Sequence, residues 1–95
     1  MNVSDIQKKI SPILRKYDIQ RASIFGSVSR GEATLQSDID ILVVIGKPMG
    51  MFAYMKMKRE MEDSLGKKVD LVTEKSINKF IRPYIIKDLR TIYER

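Results

Sequence analysis

The sequence predicts an α/β (α+β) domain, a small mixed sheet of about three strands flanked by helices. Three observations carry this. Apolar residues recur at helical spacing over residues 6–17 and 50–65. Short β-branched and aliphatic runs alternate with those stretches, the clearest being Ile39–Ile45. Glycines stand where the pattern changes, at Gly26, Gly46 and Gly66. Alternating helical and strand signals belong to a helix-covered sheet. The length of 95 residues suits one domain, 1–95, and neither a repeat nor a linker is visible.

Taken in order, Ser4 and Gln7 have the spacing of a capping box. Ile6, Ile10, Ile13, Leu14 and Tyr17 follow on one helical face, with Pro12 predicting a kink or a late start. Arg21–Phe25 reads as a short strand that ends at Gly26-Ser27, and Val28–Ser37 as a polar connection holding a short helix. Ile39–Ile45 reads as a buried strand. A helix over Gly50–Leu65 is expected to carry Met51, Met55, Lys58, Met61 and Leu65 roughly on one side, with Gly66 as its stop. Val69–Val72 is a third strand. A last helix is expected from near Ile77 to about Asp88, with Pro83 tolerable only in its first turn. Thr91–Tyr93 reads as a short strand or a docked end.

Composition removes whole classes of chemistry. The chain has no cysteine and no histidine. Disulfides, thiolate zinc sites and a histidine base are therefore excluded. A bound metal must be held by oxygen, which favours a hard cation such as magnesium. No apolar run approaches the ~18 residues of a membrane span, and no secretory signal is read, so the expected location is cytoplasmic. The net charge of +6 serves solubility, and equally suits an NTP, a nucleic acid or an acidic protein partner.

The chemistry concentrates in Gly26-Ser27, then ten residues, then Asp38-Ile39-Asp40. Alternation along a strand puts Asp38 and Asp40 on one face and Ile39, Ile41 and Val43 on the other. Two adjacent carboxylates repel unless a cation lies between them. Asp70, within Val69-Asp70-Leu71, is a third carboxylate among apolar strand residues. If its strand lies beside the first, the acidic set can hold two magnesium ions, and Asp70 is placed to accept a proton from an acceptor hydroxyl. A glycine after a strand lets the backbone approach phosphate, the Ser27 hydroxyl adds a donor, and Arg30 one turn later offers a fork of donors. Ser37 is expected to hold either the phosphates or its own loop. Each feature has a plainer reading: Asp70 as an ion-pair partner of Arg21, Lys67 or Lys68, Ser27 as a helix cap, and the methionine row as core or interface packing.

Gly26-Ser-Val-Ser-Arg-Gly-Glu32, followed by Ser37-Asp-Ile-Asp-Ile-Leu-Val43, resembles the nucleotidyltransferase superfamily of DNA polymerase beta. The resemblance is closest to its smallest branch, the minimal nucleotidyltransferase (MNT) domains, and runs from about Arg21 to Val72. No catalytic position of that pattern is replaced here. It implies catalytic and metal-binding roles for Asp38, Asp40 and Asp70, nucleotide binding by Gly26, Ser27, Arg30 and Ser37, and two Mg2+ ions with ATP as substrate. It also implies a partner, because MNT domains resemble antitoxins that neutralise HEPN-domain ribonucleases by binding them and transferring AMP to a hydroxyl. The expected function is AMP transfer to such a HEPN protein, with nucleic acid reached only through that partner. The alternatives are a binding module acting without catalysis and a nucleotidyltransferase of small molecules.

Overall fold

A computed structural model describes residues 2–34 and 36–95. The elements are α1 (Val3–Lys16), β1 (Ile19–Phe25), α2 (Gly26–Arg30), β2 (Ile39–Ile45), α3 (Met51–Leu65), β3 (Val69–Thr73), a 3-10 turn (Glu74–Ser76), α4 (Arg82–Asp88) and β4 (Arg90–Glu94). The sheet has four strands in the order β3-β2-β1-β4, one more than the sequence predicts. The extra strand is the Thr91–Tyr93 segment, which pairs antiparallel with β1. β1 and β2 are also antiparallel, while β2 and β3 are parallel and joined through α3.

One face of the sheet carries the core. Ala22 and Ile24 of β1, Ile39, Ile41 and Val43 of β2, and Val69 and Leu71 of β3 meet the helices there. α1 presents Ile6, Ile10 and Leu14, each spaced four residues from the last, and α3 presents Met57, Met61 and Leu65 at the same interval. Burying each of these side chains contributes roughly 1.5–3 kcal/mol. The row read as core or interface packing therefore divides: Met61 and Leu65 join the core, whereas Met51 is 73% and Met55 50% exposed, and Lys58 is only half-buried. Methionines occupy both sides of this helix, so residue type alone does not separate the packed row from the exposed one.

The N-terminal cap also differs. Asn2 caps α1, its side-chain oxygen accepting from the Asp5 N–H at 2.9 Å, and Ser4 lies within the helix. The earlier start lets Val3 pack against the core. α1 continues through Pro12, held on either side of it by buried Ile10 and Leu14. The last helix is shorter than predicted, because Pro83 must stand in its first turn; Asn78 instead forms a turn whose side chain accepts from the Phe80 N–H at 2.7 Å. Each edge strand has a carbonyl bonded by a side chain. Gln7 donates to the Ile92 carbonyl at 2.7 Å and the Tyr54 hydroxyl to that of Leu71 at 2.8 Å, which blunts both edges against further pairing.

Candidate active site

The second face of the sheet holds the candidate chemistry. Residues paired directly across strands share a face. Asp40 of β2 is opposite Phe25 of β1 and Asp70 of β3, and Leu42 is opposite Ser23 and Val72. The two carboxylates therefore stand side by side at the start of two parallel strands, as the two-residue period requires. Asp40 is half-buried and Asp70 exposed. Asp38 is exposed and precedes β2.

The electrostatics record this proximity. The Asp40 carboxyl is pushed up from 3.8 to about 6, first by burial, then by the Asp70 carboxylate beside it, and further by Asp38. Asp70 is near enough to hydrogen-bond the protonated form of Asp40. The Arg30 guanidinium opposes the rise but is the weakest influence. Among the described residues, no lysine or arginine forms an ion pair with Asp38, Asp40 or Asp70, and the ion-pair reading of Asp70 is not met. Unpaired carboxylates crowded together in a chain of net charge +6 are an unusual arrangement.

The expected three-ligand grouping is not assembled. Among the described residues, no three acidic side chains are close enough to hold one ion. Asp40 and Asp70 meet through strand pairing, whereas Asp38 lies outside the ladder, where no strand partner directs its side chain.

Gly26 closes the other side. Its φ of +75° suits glycine, and a Cβ there would come within 3.0 Å of Asp40 Oδ2. The turn from β1 into α2 thus brings main chain directly against the acid. Ser27 follows in the first turn of α2, where the backbone N–H groups lack partners within the helix. Arg30, at the far end of α2, is engaged: its Nη1 donates to Asp88 at 2.7 Å and its Nε to Glu32 at 3.1 Å. The Ser29 hydroxyl also donates to the Asp88 carbonyl, so the end of α4 straps α2 in place. Sequence reasoning missed Asp88, which lies 58 residues from Arg30 and carries no local signal. Ser37 serves its loop, its hydroxyl accepting from the Thr34 N–H at 2.9 Å.

Two of the three acids, Asp38 and Asp70, are exposed to solvent. A depression of about 420 Å³ between Val43–Met49 and Thr73–Lys75 is at the opposite end of β2 and β3 and excludes them. No helix among the described residues is long and apolar enough to cross a membrane.

Comparison with known proteins agrees with this geometry. The family model described as "Polymerase beta, Nucleotidyltransferase" matches residues 8–95. The chain is 43% identical over 88 residues to "Putative protein adenylyltransferase MJ0435" of Methanocaldococcus jannaschii, covering 93% of this chain and 95% of that one. It is 30% identical over 74 residues to "Protein adenylyltransferase MntA" of Thermococcus cleftensis, covering 78% and 75%. Among solved structures, one described as a "putative minimal nucleotidyltransferase" superposes with a TM-score of 0.80 at 26% identity, covering 95% of both chains. A "toxin-antitoxin with AMP-PNP" crystal structure also gives 0.80, at 25% identity, covering 94% of this chain and 73% of that one. With its strand-end acids beside a Gly-Ser turn and a family match over most of its length, the chain belongs to the polymerase beta-type nucleotidyltransferases.

Proposed function

We propose that this chain transfers AMP from ATP to a hydroxyl of a HEPN-type protein and so acts as an antitoxin. The observation that carries the reading is the unpaired Asp40–Asp70 couple set against the Gly26 main chain. Relatives named as protein adenylyltransferases support the group transferred, and the similarity to a toxin–antitoxin structure with AMP-PNP supports the setting.

The donor set fits a hard cation: it offers only carboxylate oxygens, and burial together with the neighbouring Asp70 and Asp38 carboxylates raises Asp40 to about 6. Magnesium held by the paired Asp40 and Asp70, with Asp38 drawn in from the loop before β2, would supply counter-charge to the triphosphate and acidify the acceptor hydroxyl. The rest of the work falls to the chain itself. Gly26 lets its backbone lie close to phosphate, and the Ser27 N–H and hydroxyl donate to phosphate oxygens. Arg30 offers a further guanidinium contact. Asp70 accepts the proton of the acceptor hydroxyl. The acceptor oxygen bonds to the α-phosphorus, the bond to the bridging oxygen breaks, and pyrophosphate departs. Because Asp70 faces solvent, an acceptor carried on another molecule can reach it.

The test mixes the purified protein with α-labelled ATP, magnesium and a HEPN-domain protein from the same genome. Label is expected on the HEPN chain and absent with the Asp38→Ala/Asp40→Ala variant. Undiminished transfer by that variant sinks the assignment. A second reading, neutralisation by contact alone, draws support from the unassembled three-acid set. Asp38→Asn separates the two, since full neutralisation by that variant favours contact over catalysis.

A further inference from the structure

The segment after β3 has a surface that catalysis does not use. It leaves the sheet at the end remote from the acids and returns through α4, whose last residue, Asp88, meets Arg30 at the acid end. α4 packs against β1 and α2 rather than α1 and α3. Along this path four large apolar side chains are left in solvent: Phe80 is 73%, Ile81 53%, Tyr84 75% and Ile86 52% exposed. By helical spacing Phe80, Ile81 and Tyr84 fall on one side, with Ile86 on the other flank of α4, and an exposed apolar group such as the first three marks an interaction site. Lys75, Lys79, Arg82, Lys87 and Arg90 are interspersed with them along the chain, all exposed and none in an ion pair among the described residues, and the Lys79 ammonium lies 5.3 Å from the centre of the Phe80 ring. From residue 75 to residue 90 the one carboxylate is Asp88, already bound to Arg30.

We propose that this apolar face and its cationic rim form the dock for an acidic, apolar-centred surface of the acceptor protein, holding that protein's hydroxyl over Asp70. The inference rests on the proposed transfer to a protein partner and names the surface that partner needs. Charge selects the occupant. A second copy of the chain would set one cationic rim against another, whereas an acidic rim gains from every pair and is steered in from a distance. The aliphatic Ile81 suits a protein's apolar centre, with Phe80 and Tyr84 as aromatic anchors. The strap from Asp88 to Arg30 makes the dock continuous with α2, so a partner seated there lies beside the acids.

The test uses the full chain and two variants, Phe80→Ala/Tyr84→Ala and Lys79→Glu/Arg82→Glu. All four side chains are exposed, and thermal melts check that both variants fold. Two probes are titrated by calorimetry: a HEPN-domain protein from the same genome and a synthetic amphipathic helix carrying leucine on one face and glutamate on its flanks. The wild type is expected to bind both. Each variant should weaken binding about tenfold or more, and wild-type affinity should fall as salt rises. In the transfer assay the KM for the partner rises by a similar factor, while kcat and the KM for ATP hold within about twofold. Labelling of the partner by both variants with unchanged KM overturns the dock and leaves the transfer reading intact. If the wild type ignores the HEPN protein but binds the helix in a variant-sensitive way, the dock stands and the acceptor assignment fails. Binding of anionic vesicles or an RNA oligonucleotide that the variants lose, with partner affinity unchanged, also overturns the proposal.

Discussion

Asp40→Asn should stabilise the folded protein at neutral and alkaline pH in metal-free buffer. A displacement of the Asp40 pKa from 3.8 to about 6 sets a ceiling of roughly 3 kcal/mol. Asp40 is only half-buried, and solvent screening reduces that to about 1–1.5 kcal/mol. The sign follows from proton binding. Between pH 4 and 6 the folded state holds a proton on Asp40 that the unfolded state has released, so stability falls as pH rises through this window. The deficit is complete above about pH 6 and absent below 3.8. Asparagine keeps the shape and removes the deficit. Thermal melts with chelator at pH 8 should place the variant about 4–10 °C above wild type. At pH 3.5 the difference should vanish, because Asp40 is then protonated in both states. Millimolar magnesium should narrow the gap at pH 8 by raising the wild-type melting temperature. An equal difference at both pH values, or a destabilised variant at pH 8, would refute the view that burial and the neighbouring carboxylates raise the Asp40 pKa.

Asp70→Asn should lower the rate of AMP transfer by about 10²–10⁴-fold, the usual worth of a positioned general base, with little change in melting temperature because the side chain is exposed; single-turnover rates decide it, and a loss below tenfold removes the base role. Gly26→Ala should destabilise the fold by about 1–2 kcal/mol from its positive φ alone, and further where the new Cβ meets Asp40, as read by urea titration; a neutral outcome would mean that the turn relaxes away from the acid. Arg30→Ala should raise the KM for ATP about tenfold with a smaller change in kcat, and an unchanged KM would leave Arg30 solely as the strap to Asp88.

The site was legible in the sequence to the extent that it depends on strand periodicity. Asp40 and Asp70 face each other because each begins an alternating strand, and the parallel pairing of β2 with β3 aligns them in register. Gly26 was legible because a lone glycine between an apolar run and a polar turn marks a close backbone approach. The parts that were not legible depend on contacts distant in sequence. Arg30 reads as a phosphate ligand from one end of the chain, yet its partner Asp88 is supplied by a helix that packs back from the other. The Asp38 side chain lies outside the ladder, so strand alternation gives its face but not its distance from Asp40. On α3, methionines at 51 and 55 and again at 57 and 61 satisfy helical spacing equally, and only the position of the sheet decides which pair is buried.

Open acids and an exposed docking face are two consequences of the same architecture. The helices α1 and α3 cover one side of the sheet and take nearly all its apolar surface, leaving the acidic side to α2 and the short α4. With Asp38 and Asp70 exposed and Asp40 half-buried, water reaches the site, and a charge–charge interaction there is worth only a few kcal/mol. Strong electrostatic stabilisation of a transferring phosphoryl group requires water to be excluded. The protein that brings the acceptor hydroxyl can provide that exclusion by covering the face. Rapid transfer should then demand a seated partner, and ATP turnover to AMP and pyrophosphate by the lone chain should be slow. Measuring that turnover with and without a catalytically inert partner, its acceptor hydroxyl removed, isolates the effect of coverage. Fast turnover by the lone chain, equal to its transfer rate, would show that Asp40, Asp70 and the Gly26 turn suffice without a lid.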